Sequence, residues 1–189
     1  MTQFPLSRAL HLAAILCVAL LVVANLMLIF GFSSESREES GARSRKITVA
    51  VARILYAHFE DLSAEEQEAV VDSLHGFIRK AAHFTEFGLL GVLSACLALL
   101  LEAWLGWRNR LLRTVAGPGG FCLLAATADE TYQIFTNRGA SPVDVCIDFS
   151  GALCGILLLR VVAWLAARRR VSRGRPSGDR QKGREEVSP

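Results

Sequence analysis

Arg79-Lys80-Ala81-Ala82-His83-Phe84-Thr85-Glu86-Phe87-Gly88-Leu89-Leu90-Gly91 is the stretch on which the fold turns. It carries cationic and acidic side chains directly into an apolar segment that runs on through Leu101. On a helix, Arg79, His83, Glu86 and Leu90 are spaced four, three and four residues apart and share one face. About 20 apolar residues suffice to cross a hydrocarbon layer of about 30 Å, so a membrane span is predicted over 81–105. An ionisable group costs about 2.5–3.5 kcal/mol at the centre of such a span and less near its ends. A strip of them at the mouth of a span therefore needs partners elsewhere in the chain.

Upstream, Ala9 to Phe32 is apolar, interrupted only by His11 and Asn25. It predicts a first span over 9–32. This segment is too long for a signal peptide and lacks a clean small-x-small cleavage site, so it is read as retained. The connection 33–80 opens with the polar run Ser33 to Glu39. Ile47 to Phe59 is apolar but broken by Arg53 and His58, which predicts a helix on the membrane surface or against the bundle. Ser63-Ala64-Glu65-Glu66 is a capping box, so a new helix starts near Ala64. Its stripe of Val70, Val71, Leu74, Phe77 and Ile78 leads into the second span, with a bend near Gly76.

Downstream, Trp104 and Trp107 suit an interfacial belt, and Arg108, Arg110 and Arg113 mark a basic loop. A third span is predicted over 111–135, kinked at Gly117-Pro118-Gly119-Gly120 and ending in Asp129, Glu130, Tyr132 and Gln133. A fourth is predicted over 143–167. There Asp144, Asp148, Gly151 and Gly155 again repeat at four, three and four, and the glycines let another backbone come close.

The composition agrees: 52% hydrophobic residues coexist with 21% charged ones because the two are segregated along the chain. The five cysteines form no C-x-x-C pair and are read as small packing residues. Residues 168–189 hold eight Lys/Arg and are read as a disordered, membrane-apposed tail rather than a nucleic-acid arm. The predicted fold class is thus all-α. It is a polytopic membrane protein with four transmembrane helices, a surface helix region between spans one and two, and a single domain over 1–167. Arg8, the 108–113 arginines and the basic tail fall on one side, which places both termini in the cytoplasm and the 33–80 loop outside.

Three stretches, in this order, resemble the VanZ-like family. They are Arg79 to Gly91, then Asp129-Glu130-Thr131-Tyr132-Gln133-Ile134-Phe135, then Arg138-x-x-Ser141-x-x-Asp144-x-x-x-Asp148-x-x-Gly151-x-x-x-Gly155. Phe32-Ser33-Ser34 after the first span is similar to the family too, and the likeness covers about 30–161. Family members often have glycine before the arginine of the third stretch, where this chain has Asn137. The resemblance implies a multi-pass protein of the bacterial cytoplasmic membrane, with the family's link to lower teicoplanin susceptibility. It brings no established reaction, and whether the chain is an enzyme stays open.

The polar groups at the outer ends of three spans admit four readings. Arg79, Lys80, Gln133, Arg138, Ser141 and Asp148 suit a ligand-binding site for a membrane lipid phosphate or cell-wall precursor. His83, Glu86, Asp129, Glu130 and Asp144 are the acid–base candidates if a reaction occurs there. His83, Glu86, Asp129, Glu130, Asp144 and Asp148 are the candidate ligands if the cofactor is a divalent metal. Intramembrane acids also serve ion coupling. In the plainest reading the cations and acids only fasten the helices together. His11, His58 and His75 are read as isolated interfacial or surface histidines.

Overall fold

The computed structural model describes residues 4–105, 115–136 and 141–173. These form five α-helices and one short 3₁₀ turn, with no strand among the described residues. α1 is Phe4–Ser33, α2 Arg37–Leu55, α3 Ala64–Leu105, α4 Gly117–Phe135 and α5 Pro142–Arg173.

Among the described residues, three helices, not the predicted four, are long and apolar enough to cross a membrane: Arg8–Ser33, Ala64–Leu105 and Pro142–Arg169. α4 falls short for a physical reason. It has 19 residues, and Asp129, Glu130 and Gln133 occupy its last two turns, all buried. The predicted third span also began at Leu111, which lies outside the described residues, as do Trp107 and the three arginines that follow it. α4 nevertheless belongs to the bundle. Its Cys122 meets Ser94 of α3 at 3.8 Å, while its later Asp129 reaches the earlier His83, so the two helices are antiparallel. α5 runs parallel to α3: Gly151 faces Phe84, and Gly155 faces Gly88.

The bundle core is Val22, Ile29, Phe87, Leu90, Cys122, Ala126 and Ala152. Outside it, the apolar windows of the three long helices are only 17%, 28% and 28% buried. Leu16, Leu20 and Met27 of α1 and Leu158, Val161 and Val162 of α5 point outward. Side chains so apolar and so exposed match a hydrocarbon surrounding rather than water.

α3 is one uninterrupted helix of 42 residues that passes through the expected bend site at Gly76. At about 1.5 Å per residue it is about 63 Å long, twice the hydrocarbon thickness of about 30 Å. Its first half therefore projects beyond the bundle, where it pairs with α2. Ala52, Phe59 and Val71 form a small core there, flanked by Val49, Leu62, Val70 and Leu74. Arg45 ties α2 to Glu68 and Asp72 of α3.

The α3 capping box stands as the sequence predicts: Glu66 Oε2 accepts from the Ser63 backbone N–H at 2.8 Å. The start of α2 differs. Ser36 and Glu39 form a second capping box, so the helix begins at Arg37, well before the predicted Ile47. The three histidines read as isolated each have a partner, while His58 stays at the surface as predicted. His11 Nε2 lies 2.9 Å from the Leu100 carbonyl and its ring stacks on Trp104. His75 bonds Ser44 at 2.5 Å, and His58 sits 3.0 Å from Asp61. α5 continues through Arg173, past the predicted start of the tail at Arg168; residues 174–189 lie outside those described.

Candidate functional site

The site starts from the glycines. A Cβ on Gly91 would collide with the Ala152 carbonyl, one on Gly151 with the Phe84 carbonyl, and one on Gly155 with the Gly88 carbonyl. α3 and α5 therefore touch backbone to backbone, which only residues without a side chain permit. Asp148 stands one turn before Gly151 on the same face, so the seam delivers it against α3. There His83 Nδ1 approaches Asp148 Oδ1 at 3.6 Å. The sequence-predicted faces of both helices are thus brought together.

α4 closes the group from the third side. Asp129 and Asp148 are both fully buried. Gln133 Nε2 donates to Asp129 Oδ2 at 2.9 Å and to Ser33 Oγ at 3.3 Å. Thr136 Oγ1 donates to the Ser33 carbonyl at 3.2 Å, which joins the end of α1 to the end of α4. Glu130 Oε1 accepts the Ser141 N–H at 2.5 Å, which joins α4 to the start of α5.

These groups surround a small cavity of about 20 Å³, lined by Arg79, Lys80, His83, Glu130, Gln133, Asp144, Ile147 and Asp148. That is room for one water or one ion and no larger group. Arg79 and Lys80 line it while remaining exposed, so they form its mouth.

Of the predicted site residues, Arg79, Lys80, His83, Glu130, Gln133, Asp144 and Asp148 converge on this cavity. Asp129 lies behind it, with its carboxylate within 4.8 Å of the donor atoms of His83 and Asp148. Glu86 is half-buried and stands beside the cavity rather than in its wall. The Ser141 hydroxyl accepts from the Val143 N–H at 3.2 Å and so caps α5; Ser141 is outside the cavity wall. Arg138 and the Asn137 departure lie outside the described residues.

Sequence reasoning assigned no role to Ser33, Thr136 or Ile147. Ser33 carries a signal in hindsight, since it is a polar residue closing an otherwise apolar helix. Nothing in the local sequence of Ile147 distinguishes it from a lipid-facing residue.

Chemically, the assembled groups are an imidazole, buried carboxylates and two cations at the mouth. No serine, threonine or cysteine lines the cavity among the described residues; its side chains are the carboxylates, the imidazole, the amide of Gln133 and the two cations, with Ile147 the one apolar member.

Comparison with known proteins agrees with the resemblance. No curated protein and no solved structure matches the chain. A family model described as VanZ/LLP1 matches residues 15–163, which takes in the glycine seam and every polar group of the cavity. The chain belongs to the VanZ/LLP1 family.

Proposed function

We propose that this protein is a multi-pass protein of the bacterial cytoplasmic membrane. It holds the phosphate of an envelope lipid or cell-wall precursor at the outer-leaflet end of its bundle. α4 crosses the membrane alongside the three longer helices. Both termini are cytoplasmic, so the α2–α3 projection and the cavity face outward. The excess of Lys/Arg at Arg8, in the 108–113 loop and in the tail supports this orientation.

One observation carries the ligand reading. Among the described residues, neither Arg79 nor Lys80 comes within salt-bridge distance of an acid, although both line a cavity walled by Glu130, Asp144 and Asp148 and the charge of Arg79 is felt at Glu130. Cations that only fastened acids would be drawn into those acids. These two stay in the mouth, where an arginine fork and a lysine ammonium suit a phosphate. The cavity is too small for a head group, so the phosphate sits at the mouth rather than inside.

The test is teicoplanin susceptibility of a glycopeptide-sensitive Gram-positive host. The host expresses either the wild type or Arg79→Ala/Lys80→Ala, at matched membrane levels. The wild type is expected to lower susceptibility relative to an empty vector, and the double variant is expected to lose that effect. Equal protection by both would overturn the role given to the mouth. No protection by the wild type would remove the glycopeptide link.

A further inference from the structure

Asp148 is the anomaly of the structure. Its side chain has 0% exposure and neither carboxylate oxygen has a hydrogen bond. The imidazole of His83 approaches it, with Nδ1 at 3.6 Å from Oδ1, beyond hydrogen-bonding distance. Asp129, Glu130, Asp144 and Glu86 all act on it with charge of its own sign. A buried carboxyl in such company either holds a proton or meets a compensating positive charge. Arg79 and Lys80 are exposed at the mouth and do not reach it.

The immediate surroundings show what would compensate. His83 of α3, Asp129 of α4 and Asp148 of α5 each offer a donor atom, and all three atoms lie within 4.8 Å of one another. The adjoining cavity of about 20 Å³ has room for one small ion or one water. An imidazole nitrogen with two carboxylate oxygens is a set that suits Zn²⁺ or Mn²⁺.

The geometry points to a divalent-cation site, for Zn²⁺ or Mn²⁺, held by His83, Asp129 and Asp148, one ligand from each of α3, α4 and α5. Metal–ligand bonds are about 2.0–2.2 Å long, so the three donors draw inward as the ion binds. Side-chain rotation of the two aspartates supplies this movement, because the glycine seam already fixes α3 against α5. Gln133 serves the site from outside: its amide holds Asp129 Oδ2 and orients the carboxylate. Three protein ligands leave coordination positions open towards the cavity.

The site needs no lipid, so it stands apart from the phosphate reading. The probe is the metal alone. Purified protein in detergent is stripped with EDTA, dialysed and titrated separately with ZnCl₂ and MnCl₂. Bound metal is then read by mass spectrometry after gel filtration, alongside the melting temperature. The wild type is expected to keep about one ion per chain and to melt higher as the ion concentration rises. Asp148→Asn and His83→Gln are each expected to weaken binding at least about tenfold, while Asp72→Asn on the projection changes nothing. If Asp148→Asn fails to fold, His83→Gln carries the test, because its side chain is 21% exposed and tolerates replacement better. A wild type that retains no metal and melts identically with either ion would overturn the proposal. So would equal uptake by wild type and His83→Gln. Arg79→Ala/Lys80→Ala is expected to keep its metal, so this site and the phosphate mouth fail or succeed separately.

Discussion

The two halves of α3 handle charge in opposite ways. At the projecting half, Arg45 of α2 meets Glu68 and Asp72 of α3, and beside it Arg53 of α2 meets Glu60 of the 3₁₀ turn, with every partner 40% exposed or more. Water shares the solvation of each group, so the pairs are individually weak and replaceable. At the bundle half, Asp129 and Gln133 of α4 and Asp148 of α5 are buried, and the backbones of α3 and α5 are locked together by glycine. There each group must be compensated within a few ångströms, and a misplaced one has no solvent to fall back on. The projection is a helical hairpin that water helps to hold, whereas the bundle end is a site whose geometry is imposed.

The contrast breaks most visibly at the seam. Gly91→Ala places a methyl group against the Ala152 carbonyl, and backbone cannot yield as a flexible side chain would. A loss of about 3 kcal/mol is expected, at the upper end of overpacking, read as a melting temperature lower by several degrees in detergent. Gly88→Ala is the internal control: its Cβ would stand 3.5 Å from the Gly151 carbonyl, an ordinary contact, and a much smaller loss is expected. Equal effects would mean that the seam is not tight where the structure places it.

On the projection, Arg45→Ala removes two partners at once. Because all three groups are exposed, a change below about 1 kcal/mol is expected, within about 2–4 °C of the wild-type melting temperature. A loss as large as that at Gly91 would erase the distinction between the two halves.

The smallest effect concerns acid. The backbone and hydroxyl of Ser36 hold Glu39 below its ordinary value of 4.5, and those of Ser63 do the same for Glu66. With a folded pKa below the unfolded one, each cap contributes fully above about 4.5 and is lost as pH falls through the lower folded value. Glu39→Gln/Glu66→Gln is therefore expected to flatten the acid limb of helix stability, followed by circular dichroism, while leaving neutral pH nearly unchanged.

Much of this was legible in the sequence because helical periodicity carries it. The spacing of Arg79, His83 and Glu86, and that of Asp144, Asp148, Gly151 and Gly155, put the right side chains on the right faces. Ser63 to Glu66 marked the start of α3 correctly. The same four-residue signature at Ser36 to Glu39 passed as a polar lead-in, because the run after it is charged and the apolar pattern begins only at Ile47. The span predicted over α4 fared worse: hydropathy averages over a window, and three buried polar residues at one end lower that average. Within the site, sequence spacing named six metal candidates but could not choose among them. The choice of His83, Asp129 and Asp148 depends on how three helices meet, which periodicity within one helix does not encode. Ser33 docking on Gln133 across 100 positions of sequence is a contact of the same kind.

On the proposed function, the mouth of the cavity binds a phosphate while the seam beneath it holds the fold. The most direct measurement is binding of a polyprenyl phosphate, against the matching polyprenol, to nanodisc-embedded wild type and Arg79→Ala/Lys80→Ala, with the melting temperature of each recorded alongside. The account predicts phosphate-dependent binding by the wild type, at least about tenfold weaker in the variant, with melting temperatures within about 2–4 °C. Binding that ignores the phosphate, or survives the loss of both cations, would contradict it.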